Sequence, residues 1–544
     1  MGVTNAMGEI LLNNGTIYSL QAEQEFFGAM LVRDGIVAKL YSEKQPQVKA
    51  ARYIYLGGRT VLPGFIDSHT HFMVTVAAEA MGSKVSYLDN ERVLPADIAG
   101  VKERLQSIAA KKSNSQPLLF YNYIIPAVSE KRLPEKSELD AWFPGRTVSV
   151  ISMDGHSSSH SSAALFNMNL EDPQGSGTLT GEAHEFNMGK INAYIQSKLS
   201  IGLLLKSFSA VTADALSHGI TGIQCLEGFD DDPADRSIWL MTRIAAALPL
   251  KLRLSMQYLD PGRCDKYDKF LKRKQMGGCG AWEMDGSVSS QTAAFNTGYK
   301  GRPAYKGQCY YTQEQVDVMV QKAQAAGYRL SVHAIGDAAI ERILNAFEKA
   351  AENDPPLNPM RHGIDHFEFP SKDQVRRAIS AGLLLIPQPG FTWFDEKHQK
   401  TYSQYLTEEV IRMQIPLKTI VDSGGMILGS SDSPVQHLNP FIQLQGMVTF
   451  PVAGESLSLY QALRTYTYNG AYALQEEDER GTLTPGKHAD FVILDQDPFE
   501  LPLTDIHKLK AAETWINGRK LYPGKKISPW GLLARGLLGI RQKL

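Results

Sequence analysis

His69-Thr70-His71 closes an apolar run that begins at Thr60 and passes through Leu62-Pro63-Gly64-Phe65-Ile66. Side chains two apart on a β-strand point the same way. The two imidazoles therefore project together from a strand end, an arrangement that suits a borderline-soft divalent cation. Taken alone, the pair reads equally well as two hydrogen-bonded histidines. Other segments repeat the pattern. Ser331-Val332-His333-Ala334, Ile364-Asp365-His366 and Ser430-Ser431-Asp432-Ser433 each set a histidine or an aspartate at the end of a short apolar stretch. Such a donor set can lower the pKa of a water on a metal ion, with a carboxylate nearby to take the proton.

To meet at one place, these residues need parallel, adjacent strands. Eight β-rich segments alternate with helix-like stretches: Thr60–Ile66, Ile220–Leu226, Leu252–Gln257, Ala281–Asp285, Tyr328–Val332, Gly363–Phe367, Leu383–Pro387 and Met426–Gly429. Eight is the number that closes a (β/α)8 barrel, where function gathers at the C-terminal strand ends. The expected fold class is α/β, a distorted TIM-like barrel over residues 60–79 and 206–479. Leu118–Ile124 and Thr147–Met153 also read as strands and are assigned to an inserted lid segment, residues 80–205. Turn signals at Arg33-Asp34-Gly35 and Asn517-Gly518 mark residues 1–59 and 480–527 as β-rich, predicting one small β-sandwich from both termini. The acidic run Glu476-Glu477-Asp478-Glu479 reads as a solvated connection before it.

The bulk properties narrow the partners. The 544 residues are 43% hydrophobic and 21% charged, with a formal net charge of -2. This is ordinary globular composition with no basic stripe, so nucleic acid is not expected. Cys225, Cys264, Cys279 and Cys309 form no C-x-x-C pair and read as reduced thiols of a cytoplasmic protein. No signal peptide or transmembrane segment is expected. In the tail, residues 528–544, Leu532, Leu533, Leu537 and Leu538 recur with helical spacing. That pattern predicts a terminal helix docked on the body or on a second subunit of a homo-oligomer.

The motifs together resemble the amidohydrolase superfamily, in the branch that includes N-substituted formamide deformylases. They are Leu62-Pro63-Gly64-Phe65-Ile66-Asp67-Ser68-His69-Thr70-His71, Asp154-Gly155-His156-Ser157, Asp285-Gly286-Ser287, His333-Ala334-Ile335-Gly336-Asp337, Gln388-Pro389, Ser431-Asp432-Ser433-Pro434 and Gly481-Thr482-Leu483-Thr484-Pro485-Gly486. The resemblance implies a divalent metal, Zn²⁺ by preference, as one or two ions. His69, His71 and Asp432 would bind the more buried ion, and His333 and His366 a second ion or the rest of a single site. Asp432 would shuttle the proton while activated water attacks an amide or formamide-like C–N bond of a small molecule. Deamination of a heterocyclic amine at a mononuclear site is the alternative, and a non-catalytic scaffold a third reading.

One position departs from the family pattern. Relatives carry a bridging, carboxylated lysine four residues before Asp-Gly-Ser, where this chain has Ala281. Glu283 shares its strand parity, so either Glu283 bridges two ions or the site holds one. Among softer candidates, Asp154 and His156 match a motif that folds over the barrel mouth, with His156 facing substrate or its developing oxyanion. His160 is a weaker candidate of the same motif. Phe391 and Trp393 would wall the substrate pocket. Asp337 would orient His333 or a loop, and Asp365 a neighbouring histidine. His184, His218, His362, His398 and His437 match no motif.

Overall fold

Eight parallel strands form the central sheet of the computed structural model, which describes residues 8–81, 83–86, 95–232, 235–267, 272–353, 360–398, 400–524, 528, 531, 532 and 534. In chain order they are β1 (Phe65–Thr70), β2 (Ile220–Glu227), β3 (Lys251–Met256), β4 (Gln275–Glu283), β5 (Arg329–Ala334), β6 (Gly363–His366), β7 (Leu384–Ile386) and β8 (Met426–Ile427). Each strand pairs with its successor. The sheet curls, and its first and last strands are linked through the residues around their ends. Ser68 N–H donates to the Gly429 carbonyl at 3.0 Å, and Asp432 N–H to that of His69 at 2.9 Å. This mixed α/β arrangement is consistent with a TIM-like barrel. Strands β1, β2, β5 and β6 are buried at every position, their polar side chains included. Outside them, helix Ile201–Ser217 buries Leu204, Leu205, Phe208, Val211 and Ala215 along one stripe.

Two strands differ from the sequence reading. The segment expected as Thr60–Ile66 is two strands that part at Gly64. Thr60–Pro63 belongs to another sheet, between Thr16–Tyr18 and Phe491–Leu494, and only from Phe65 does the chain join β2. Gly64 allows this because a Cβ there would lie 2.3 Å from a Thr221 carbon. The fourth strand starts earlier than Ala281 and is bulged. Gly278 pairs with Val332 and Glu283 with the next residue, His333, so Cys279 to Trp282 are extra. Gly278 (φ 112°) and Gly280 (φ 62°) take the left-handed backbone that such a bulge demands.

The acidic run is solvated only in part: Asp478 is exposed, but the first two residues are paired. Glu476 is 1% exposed and lies 2.6 Å from both Arg253 and Arg480, while Glu477 pairs with Arg361 at 2.7 Å. The run clamps β3, through Arg253, and the start of β6, through Arg361, to the chain that leads back to the terminal sheets.

Leu118–Tyr123 and Val148–Ser152 lie outside the central sheet, in a four-stranded one with Ser157–His160 and Thr178–Thr180. Strands from the two chain ends build a four-stranded and a six-stranded sheet, which share an apolar cluster that includes Met30, Val61, Phe491 and Trp515. Among the described residues, no single helix is long and apolar enough to cross a membrane. Most of the tail, residues 528–544, lies outside the described residues.

Candidate active site

The strand ends bring five of the expected donors to one place and add a sixth. His69 Nε2 and His71 Nε2 each lie 3.3 Å from Asp432 Oδ1. The ring centroids of His333 and His366 are 4.4 Å apart, and those of His69 and His366 5.2 Å. Between the two halves stands Cys279, carried in by the β4 bulge. Its Sγ is 3.6 Å from His69 Nε2 and 3.7 Å from His333 Nδ1. Ligand atoms fall into three mutually close sets: His69 with His71 and Cys279, Cys279 with His333 and His366, and His69 with His366 and Asp432.

Neighbours of three rings select which nitrogen faces inward. Asp365 Oδ1 lies 3.0 Å from His69 Nδ1, while Nε2 faces Asp432 and Cys279. Gln388 Oε1 accepts from His366 Nδ1 at 2.7 Å, and its amide nitrogen is fixed by donation to the Ile386 carbonyl, so His366 Nε2 is left free. His333 turns Nε2 to the Gly286 carbonyl at 3.4 Å and its Nδ1 to Cys279. His366 (φ 67°) and Asp432 (φ 56°) hold a left-handed backbone uncommon outside glycine, of the strained kind that clusters at functional sites.

The electrostatics match a site for a cation. Burial alone would raise Asp432, but the imidazoles of His69, His71 and His366 hold it well below the usual carboxylate range. Burial keeps His366 neutral, down to about 4, and His333 well below the usual imidazole value. Burial opposes protonation of His69, but Asp365 and Cys279 raise it well above that value. His366 Nε2 and Asp432 Oδ1 are buried without a hydrogen-bond partner among the described residues. Buried polar atoms without a partner are costly, and a divalent ion satisfies a nitrogen, a carboxylate oxygen and a sulfur at once. The donor set therefore fits the group.

A second cluster adjoins the first. His156 Nδ1 lies 2.8 Å from Glu185 Oε1, and Glu283 Oε2 is 4.0 Å from the same nitrogen. Glu283 Oε1 also accepts from the Gly280 N–H at 2.8 Å, which seals the bulge. Burial pushes Glu185 up to about 8; burial and then the Glu185 carboxylate push Glu283 well up. Asp154 sits just behind, its carboxylate accepting from Ser290 at 2.7 Å and from Ser152, Ser287 and Ser289. A cavity of about 150 Å³ joins the clusters. His71, Cys279, Glu283, His366 and Asp432 line it together with the apolar Ala77, Met81, Leu119, Met188 and Ile191.

Comparison with known proteins agrees with this geometry. The amidohydrolase family matches residues 52–522. The chain belongs to the amidohydrolase family. It is similar to YtcJ of Bacillus subtilis, 24% identical over 94% of this chain and 98% of the other. It is equally similar to the N-substituted formamide deformylase of Arthrobacter pascens, 24% identical over 94% of this chain and 98% of that enzyme. In fold it resembles the crystal structure of an uncharacterized metal-dependent hydrolase from Pyrococcus furiosus. The TM-score is 0.67 at 21% identity, covering 90% of this chain and all of that one.

This amidohydrolase is thus a hydrolase of C–N bonds, and the remaining candidates find their places around its centre. Phe391 lines a neighbouring cavity with Phe394, whereas Trp393 sets its ring 5.3 Å from that of His507. Asp337 accepts from the Asn296 N–H and side-chain amide, both at 2.9 Å, and so anchors a loop. His160 and His184 are buried on either side of Ser158 Oγ, at 2.7 and 2.8 Å. Lys274, the nearest upstream lysine, points to Asp265 at 3.1 Å. The sequence reading missed Cys279 and Glu185. The run Gly277-Gly278-Cys279-Gly280 was the available signal for the first, since glycines that dense in a strand mark a bulge.

Proposed function

We propose that this amidohydrolase cleaves a non-peptide C–N bond, amide or formamide-like, in a small molecule with an apolar substituent. His69, His71, Cys279, His333, His366 and Asp432 would hold the divalent metal, with Zn²⁺ the ion that imidazole, thiolate and carboxylate together suit best. The observation that carries the reading is that these six donors fall into three overlapping triads, and that His71, Cys279, His366 and Asp432 among them line the cavity.

A bound ion supplies a water acidic enough to attack at neutral pH and a positive charge beside the carbonyl oxygen. The chain's own groups do the rest. Asp432 Oδ1 is buried without a hydrogen-bond partner among the described residues and borders the cavity, where it would take a proton from the attacking water and return it to the leaving nitrogen. His156, steadied by Glu185, stands over the His333 ring at 5.2 Å and would donate to the developing oxyanion. Met81, Leu119, Met188 and Ile191 would take the apolar substituent. Residues 80–205 act as the lid that brings this wall over the mouth, and the sheets from both termini act as a sandwich behind it.

The test is a panel of N-acyl and N-formyl amines and heterocyclic amines, assayed separately for released carboxylate, released amine and released ammonia. Carboxylate and amine in equal amounts, abolished by Asp432→Asn, support the reading. Ammonia alone would replace it with deamination, and no product from any substrate by the metal-loaded protein would remove it.

A further inference from the structure

Helix Ile201–Ser217 ends at two side chains that the active site does not use. Asp214 lies in its last turn and His218 caps it four residues on, so both share one face. His437 reaches them from the segment that follows Asp432. Its Nε2 is 3.5 Å from Asp214 Oδ2, and His218 Nδ1 is 3.8 Å from Asp214 Oδ1. The two rings cross at 77° with centroids 5.2 Å apart. One ligand atom from each of the three residues lies within 4.8 Å of the others. Tetrahedral Zn²⁺, with bonds of about 2.0–2.1 Å, needs donors about 3.3 Å apart, and His437 Nε2 and Asp214 Oδ2, at 3.5 Å, already stand close to that separation.

The His218 ring is already set for this. Its Nδ1 lies 2.9 Å from the main-chain carbonyl of Asp214, which can only accept. Nδ1 therefore carries the proton and Nε2 the lone pair, the orientation that metal-binding histidines owe to a carbonyl partner. Entry is open, since the side chains of Asp214 and His437 are 40% and 43% exposed. The active-site donors belong instead to the central strands and the segments at their ends.

We propose that Asp214, His218 and His437 form an auxiliary site for a divalent transition metal, Zn²⁺ foremost, with water completing the coordination. The site has a use. His437 lies five residues after Asp432, and Pro434 and Val435 between them line the active-site cavity. An ion here ties that segment to the helix and so steadies the wall beside Asp432.

The experiment compares wild type, His218→Gln, His437→Gln and His71→Ala after equilibration with Zn²⁺ and removal of free ion, by elemental analysis and thermal melting. Folding is checked by circular dichroism, and Asp214→Asn serves if either histidine variant misfolds. The expected result is one equivalent fewer in His218→Gln and in His437→Gln, with a smaller Zn²⁺-induced rise in Tm, while His71→Ala keeps that equivalent. Equal metal content in wild type and both glutamine variants would overturn the site and leave Asp214–His437 as a plain ion pair.

Discussion

Cys279 and Glu283, four residues apart in one bulged strand, face different clusters. Cys279 Sγ lies 3.6 Å from His69 Nε2, whereas Glu283 Oε2 lies 4.0 Å from His156 Nδ1. The bulge supplies a thiol where a regular strand would have offered Ala281 and Glu283. Metal loading should therefore depend on Cys279. In Cys279→Ala, affinity should fall by more than the roughly 10–100-fold typical of groups one step removed from the ion. Glu283→Gln should keep its metal. Elemental analysis across a chelator series checks both, and full retention in Cys279→Ala would exclude the thiol.

Asp365 acts on the centre through His69, at 3.0 Å from Nδ1. Asp365→Asn keeps the shape but no longer holds the ring with a charge. Metal affinity or activity should drop about 10–100-fold, while Asp365→Glu recovers part of it. Titration of the metal-free protein with Zn²⁺ reads this directly.

Asp432→Asn removes the proton acceptor and one donor together. Turnover should fall by at least ~10²–10⁴-fold, the usual worth of a positioned general base. The kcat of the metal-loaded variant is the measure, and a change confined to KM would contradict the assignment.

Acid stability should depend on the inserted segment. Burial lowers His184 to about 4 and His160 to about 3, from an ordinary value of 6.5. Above 6.5 neither state takes the protons. As pH falls from 6.5 towards 4, the unfolded chain takes them and the folded one does not, so stability is lost in that window. Thermal melts of the wild type should drop progressively through it, and His184→Asn, measured over the same range, should give a flatter curve.

Glu476→Gln should leave Arg253 and Arg480 without their buried counter-charge. The expected cost is about 3–5 kcal/mol, measured by urea unfolding.

The contrast between what could and could not be read ahead has physical causes. Six of the eight strand segments were legible because short β-rich stretches alternate with helix-like ones. Asp34-Gly35 and Asn517-Gly518 gave away their hairpins, since adjacent residues at φ 50° and 82°, and 48° and 69°, are the signature of the tight reversed turn. His69, His71, His333, His366 and Asp432 were legible as strand ends. Cys279 was not, because the sequence reading begins that strand at Ala281, two residues beyond it, whereas the strand starts at Gln275. Glu185 was missed for another reason. It lies on a short helix, Glu182–Glu185, whose approach to His156 depends on tertiary packing that no local pattern encodes. Glu476 looked solvated because a run of acids carries no mark of the arginines that fold against it.

The parting of the chain at Gly64 bears on how this enzyme can be dissected. Four residues, Thr60–Pro63, are hydrogen-bonded between a strand from residues 16–18 and one from residues 491–494, and the polypeptide then runs straight into the strand that carries His69 and His71. The catalytic half is therefore no free-standing cassette. Both ends of the polypeptide grip the root of its first ligand-bearing strand, so a truncation meant to trim ornament would loosen the anchor of the centre itself.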